Sequence, residues 1–96
     1  MKQPGVKYVV KYHPDVVKDD IPKFGVNNKT RIKTAIEAKL MTQPEIFGIP
    51  LRRSLRGHRK LRVGDYRIVF RIENNNVFIL AIMHRSFVYM NVKPRI

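Results

Sequence analysis

The chain has no cysteine and no tryptophan. The first absence removes disulfide staples, thiolate metal sites and cysteine nucleophiles together, and it agrees with a reducing compartment. The second leaves no tryptophan-bearing amphipathic helix to seat the protein on a lipid surface. No stretch approaches the ~18 apolar residues that a membrane-spanning helix needs. Residues 1–12 mix charged with apolar side chains where a signal peptide would need an unbroken apolar run. An intracellular, cytoplasmic protein is therefore expected, with no membrane partner.

Catalytic signatures are missing as well. Paired carboxylates are absent, which disfavours glycosidase and two-metal chemistry. His13, His58 and His84 lack any metal-ligand spacing, no G-x-S-x-G elbow occurs, and no glycine-rich loop is available to cradle phosphates. Neither a metal nor a cofactor is expected.

Acidic side chains are scarce: 7 against 20 Lys plus Arg, a net charge of +13 on 96 residues. A single domain spanning residues 1–96 with that excess repels itself unless a polyanion or an acidic protein is near. The charge is also uneven. Residues 1–50 carry a net +4 made mostly of lysine, whereas residues 51–96 carry +9 made mostly of arginine. Lysine is a hydrated point charge; the planar arginine fork grips phosphate through two bonds at once. The densest stretch holds Arg52, Arg53, Arg56, Arg59, Lys60 and Arg62 with no acid between Ile46 and Gly64. Arg52, Arg53, Arg56 and Arg59, with Arg71, are candidate RNA-binding residues, and the interleaved leucines tie the run into a fold.

Apolar spacing predicts an α+β domain. Val6 to Tyr12 alternates as a strand. Pro14 suits the first turn of a short helix, Pro22 and Gly25 interrupt it, and Asn27 or Asn28 is a candidate N-cap for a second helix over 29–41, with Ile32, Ala35, Ile36 and Leu40 on one face. Thr42 to Pro50 reads as a loop. Strands then follow at 60–63, at 66–73 and, after the Asn74-Asn75-Asn76 turn, at 77–83, the last being apolar enough to be the most central. Residues 84–91 form a tail, either short helix or edge strand. The expectation is an N-terminal strand and a helical hairpin packed on one face of a mostly antiparallel four-stranded sheet.

The other face is left for function. Period-two alternation puts Tyr66, Ile68, Phe70 and Ile72 toward the helices and Arg67, Val69 and Arg71 away from them, beside Lys60 and Arg62. His84, Arg85 and Tyr89 follow the last strand. His58 sits in a loop and is expected to be exposed rather than catalytic; Tyr66 and Phe70 are expected in the core. Cations with one histidine and one tyrosine suit metal-free cleavage of RNA, in which a 2′-hydroxyl attacks the adjacent phosphate while fixed cations stabilise the growing negative charge. They suit a passive nucleic-acid-binding face equally well.

Leu55-Arg56-Gly57, Arg59 through Ile72, Val77 through Ile82 and His84-Arg85…Val88-Tyr89 together resemble the RelE/ParE superfamily of bacterial and archaeal type II toxins. The likeness is close in the C-terminal half and is one of element order in the N-terminal half. It implies a compact toxin that cuts mRNA in the ribosomal A site, held in check by a cognate acidic antitoxin: monomeric when free, hetero-oligomeric with the antitoxin. By the same resemblance the catalytic set is Lys60, Arg62, Arg67, His84, Arg85 and Tyr89. Arg67 stabilises the cleaved phosphate, Lys60 is a base or electrostatic partner, and Tyr89 positions the substrate base. Some relatives carry a catalytic Glu just before the position of Leu51, where this chain has Ile49-Pro50. Ser86-Phe87 also replaces a polar, charged pair. The alternatives are a ParE-like inhibitor of DNA gyrase and a non-catalytic RNA-binding relative.

Overall fold

The computed structural model describes residues 8–96. Val6 and Lys7, the start of the expected first strand, lie outside them. The elements in order are β1 (Val9–Tyr12), a π-type helical turn (Val16–Asp20) running into a 3₁₀ turn (Ile21–Lys23), α1 (Val26–Ala35) continued by a π-type turn (Ile36–Leu40), α2 (Pro44–Phe47), β2 (Ile49–Pro50), a 3₁₀ turn (Arg53–Leu55), β3 (Arg59–Val63), β4 (Tyr66–Glu73), β5 (Asn76–His84), α3 (Val88–Val92) and a last 3₁₀ turn (Lys93–Arg95). Helices pack on a mixed sheet, as the alternation of patterns requires.

The sheet has five strands, not four, in the order β1-β5-β4-β3-β2. The extra one is Ile49–Pro50, in the stretch expected to be loop, which pairs with Lys60 and Arg59. A proline lacks the N–H a central strand must donate, so a two-residue strand at the sheet edge is where it fits. The middle strand is β4 rather than β5, because β1 runs parallel to β5 on its outer side. α1 starts two or three residues earlier than the asparagines suggested, at Val26 with Gly25 as its N-cap.

The helix-side core is built from Ile32, Ile36 and Leu40, four residues apart on one stripe, against Leu61, Ile68, Phe70, Val77, Ile79 and Ile82 of the sheet. A bulge in β5 shapes the rest. Val69 pairs with Ala81 but Phe70 pairs with Ile79, so Leu80 is the extra residue. The bulge reverses the alternation: Leu80 and Ala81 both face away from the helices, and Ile82 returns to the helix side.

The second face is not an open plane. The tail after β5 forms a helix, and its Val88 and Val92 pack with Leu55, Val69 and Ala81 into a second apolar cluster. Turn Arg53–Leu55 closes one side of that cluster and α3 another.

One ion pair locks the two ends of the chain together. Asp20 and Arg95 make two hydrogen bonds, 2.7 and 2.9 Å, with the Arg95 side chain 9% exposed. β1 stops at Tyr12, and these two side chains then continue its ladder: Asp20 accepts from Ile82 N–H at 2.9 Å, and Arg95 donates to the Leu80 carbonyl at 3.1 Å. The bond to Asp20 raises the guanidinium pKa further above its already high value.

Gly48 is where α2 turns into β2. A Cβ there would collide with the Phe70 ring and lie 2.9 Å from the Pro44 carbonyl oxygen. Gly48→Ala is therefore expected to lower the unfolding free energy by about 1–3 kcal/mol, read from urea denaturation, because the ring at the centre of the core has to move. An unchanged midpoint would show that Phe70 relaxes freely.

Candidate nucleic-acid interface

The antiparallel register of β3 and β4 sets Arg62 directly opposite Arg67 and Lys60 opposite Val69. Side chains paired across strands share a face, so the two arginines and Lys60 share one surface. α3 contributes the fourth member. The Lys60 ammonium lies 5.9 Å from the centroid of the Tyr89 ring, which is 38% exposed.

Arg67 is the least ordinary of these residues. It is only 6% exposed, because Met83 beside it and the apolar cluster under α3 cover its strand. Its Nη1 donates to the carbonyls of Gly64 at 3.0 Å and Tyr66 at 2.9 Å. Among the described residues no carboxylate pairs with it. A buried cation without a counter-ion is costly, and two like charges across a ladder repel. Both costs fall when an anion binds between Arg62 and Arg67.

The other expected residues divide. Arg52, Arg53 and Arg56 are exposed on the turn around Leu55 without side-chain partners among the described residues, and Arg53 holds a positive φ of 57°. Leu55 is buried beneath them, so the turn presents its arginines from a fixed base. Arg85 is exposed just past β5, 3.8 Å from Asp65.

Three residues are engaged elsewhere. Arg59 donates to the carbonyls of Glu45 and Gly48, pinning α2 to β3. Arg71 pairs with Glu73 at 2.8 Å and stacks 4.4 Å from the Phe78 centroid, about 13 Å along β4 from Arg67 at the usual strand rise. His84 faces the helix side. It pairs with Tyr66, their rings 6.2 Å apart, and its Nδ1 accepts from Ser86 N–H. It lines a cavity of about 580 Å³ together with Phe24, Phe87, Asp20 and Arg95. Alternation along β5 alone would have left its face undecided; the bulge at Leu80 sets it.

His58 was expected to be exposed in a loop, and the structure differs. It is half-buried, and its backbone is clamped by hydrogen bonds to Leu55 and Leu51. Its Nδ1 is buried with no hydrogen-bond partner among the described residues. Two residues before Lys60, it continues the alternation of Lys60 and Arg62, and that spacing was a signal available in the sequence.

With this geometry in place, relatives can be compared. The family model for the ParE toxin of the type II toxin–antitoxin system parDE matches residues 8–89. The chain belongs to this toxin family. It is also 42% identical over 52 residues to Toxin RelG of Mycobacterium tuberculosis, a match covering 52% of this chain and 60% of that protein. The toxin–antitoxin complex RelBE2 from Mycobacterium tuberculosis superimposes with a TM-score of 0.77 at 29% identity, over 88% of this chain and 99% of that one. A mutant of the Escherichia coli toxin RelE in the free state gives 0.69 at 22% identity, over 94% and 98%, a likeness of fold. The α+β arrangement of this toxin is thus that of RelE-like proteins.

An imidazole nitrogen buried without a partner costs stability. His58→Leu is expected to raise the unfolding free energy by about 1 kcal/mol in urea denaturation, since it removes that nitrogen and keeps the apolar contact. A loss of stability would mean that the nitrogen is satisfied in solution.

Proposed function

We propose that this toxin is a ribosome-dependent endoribonuclease acting in the cytoplasm on mRNA, restrained by a cognate acidic antitoxin. The observation that carries the reading is Arg67: a buried guanidinium with no carboxylate partner among the described residues, set opposite Arg62 and on the face of the Lys60–Tyr89 pair. Such a strip fits a scissile phosphate better than a solvated surface, where cations need no burial. The antitoxin belongs to the reading because RelBE2 is a toxin–antitoxin complex of the same fold. A free monomer and a hetero-oligomer with the antitoxin are the two states it implies.

The reaction balances without a metal. The 2′-oxygen forms a bond to phosphorus as its proton passes to a base, the bond from phosphorus to the 5′-oxygen breaks, and that oxygen takes a proton from an acid, leaving a 2′,3′-cyclic phosphate and a 5′-hydroxyl. Arg67 and Arg62 stabilise charge on the non-bridging oxygens, in a site where water is partly excluded. Lys60 adds to that field. Lys60 suits the proton acceptor, and the Tyr89 hydroxyl suits the donor or the ring on which an unstacked base rests. Arg52, Arg53 and Arg56 hold the flanking backbone. Arg85, exposed just past β5, adds a cation for an adjacent phosphate, whereas His84, turned toward the helix-side cavity, has a supporting part.

Membership of the ParE toxin family keeps a second reading, the DNA gyrase inhibitor that the resemblance to ParE implies. One experiment separates them: induce the chain in bacteria and map mRNA 5′ ends by primer extension. Codon-phased cuts are expected, falling ~10²–10³-fold with Arg67→Ala, the usual effect of removing one donor to a transition-state oxyanion. Intact mRNA with trapped double-strand breaks would replace the first reading by the second. Intact mRNA without breaks would leave a binding protein.

A further inference from the structure

α3 has five residues, too few for a stable helix in isolation. It nonetheless carries Tyr89, whose ring must stay beside Lys60. Val88 and Val92, one turn apart, press it onto the sheet, and the Phe87 N–H bond to the His84 carbonyl fixes its start. Apolar contact resists separation but not rolling or sliding, because dispersion has little directionality. A helix that rolls carries Tyr89 off the strip.

Its far end is held by hydrogen bonds. Residues 88–92 and 93–95 are helical without a break, so Arg95 moves with Tyr89 as one arm. Arg95 is bound at two points to Asp20 and at a third to the Leu80 carbonyl, while Asp20 takes the Ile82 N–H. These backbone groups flank Ala81, which lies under α3 in the apolar cluster. The arm is therefore indexed to the strand on which it rests, at a bulge that no other strand pair of the described residues repeats.

We infer that Arg95, clamped by Asp20, is a positioning residue that sets the roll and register of α3 and so holds Tyr89 over Lys60. The inference rests on the ribonuclease reading for its kinetic consequence, but not for its structural one. The planar fork of arginine serves the bidentate bond to Asp20 and the bond to Leu80 at once; a lysine ammonium has no such fork.

Two measurements test it. In protein labelled with 3-fluorotyrosine, which has four tyrosines, the ¹⁹F resonance of Tyr89 is expected to move toward the free amino-acid position in Arg95→Ala. The resonances of Tyr8 and Tyr66, in and against the helix-side core, keep their places. In ribosome-dependent cleavage, Arg95→Ala is expected to lower kcat ~100-fold with KM little changed, as misplacement of a catalytic group by about 1 Å does. The double variant Tyr89→Ala/Arg95→Ala should be no slower than Tyr89→Ala alone, since a residue that acts through Tyr89 has nothing left to place. A Tyr89 resonance that stays put, or losses that multiply, would overturn the assignment. Arg95→Lys, which keeps a charge beside Asp20, should shift the same signals in the same direction by less, and gives the reading if Arg95→Ala does not fold. If the wild-type chain cuts no mRNA, the functional reading falls, and the Tyr89 resonance alone decides the anchor.

Discussion

The Asp20–Arg95 pair joins a residue near the start of the fold to one at its end, and both to the edge of β5. Much depends on it geometrically. Where β1 stops, the next N–H and C=O of β5 would face the interior of the helix layer unpaired, at a cost of roughly 1–3 kcal/mol each. Asp20 and Arg95 take one apiece and neutralise each other in doing so. Buried ion pairs often add little net stability compared with an apolar pair of the same shape, but they demand one arrangement. Here that arrangement fixes the first helical turn, the bulged strand and the C-terminal helix in a single register.

The bulge and the second cluster explain why a cationic strand residue becomes buried. Leu80 and Ala81 both turn to the face opposite the helices, which gives Val88 and Val92 an apolar seat. On that same face Arg67 is buried opposite Met83, and the Gly64 and Tyr66 carbonyls solvate its charge. The fold thus creates a low-dielectric cation next to exposed ones. In such a setting an anion gains more than it would from surface lysines, because electrostatic attraction strengthens as water is excluded. The cations of residues 8–50 have no comparable environment; they are mostly exposed lysines.

Much of the core was legible. Ile32, Ile36 and Leu40 follow helical spacing, and Ile68, Phe70 and Ile72 follow strand spacing, so their partition to the helix side could be read from period alone. The site was legible in part. Lys60, Arg62 and Arg67 share a face as alternation requires, whereas Arg71 and Arg59 proved to be engaged with Glu73 and with carbonyls near α2. His58 obeyed the same alternation but was set aside because the glycine before it reads as loop. A loop label says nothing about burial when leucines on either side clamp the backbone.

Composition, local period and motif carry the class of the fold, the concentration of arginine in the second half and the likeness to RelE/ParE toxins. Tertiary structure decided the fifth strand at Ile49–Pro50, the face taken by His84, the covering of Arg67 and the pairing of Asp20 with Arg95. Each of those requires knowing which distant segments meet. Seventy-five residues separate the two members of the ion pair, and nothing local to either one encodes the other. The bulge has the same character: an extra residue in an apolar run has no periodic mark until a partner strand fixes the register it breaks.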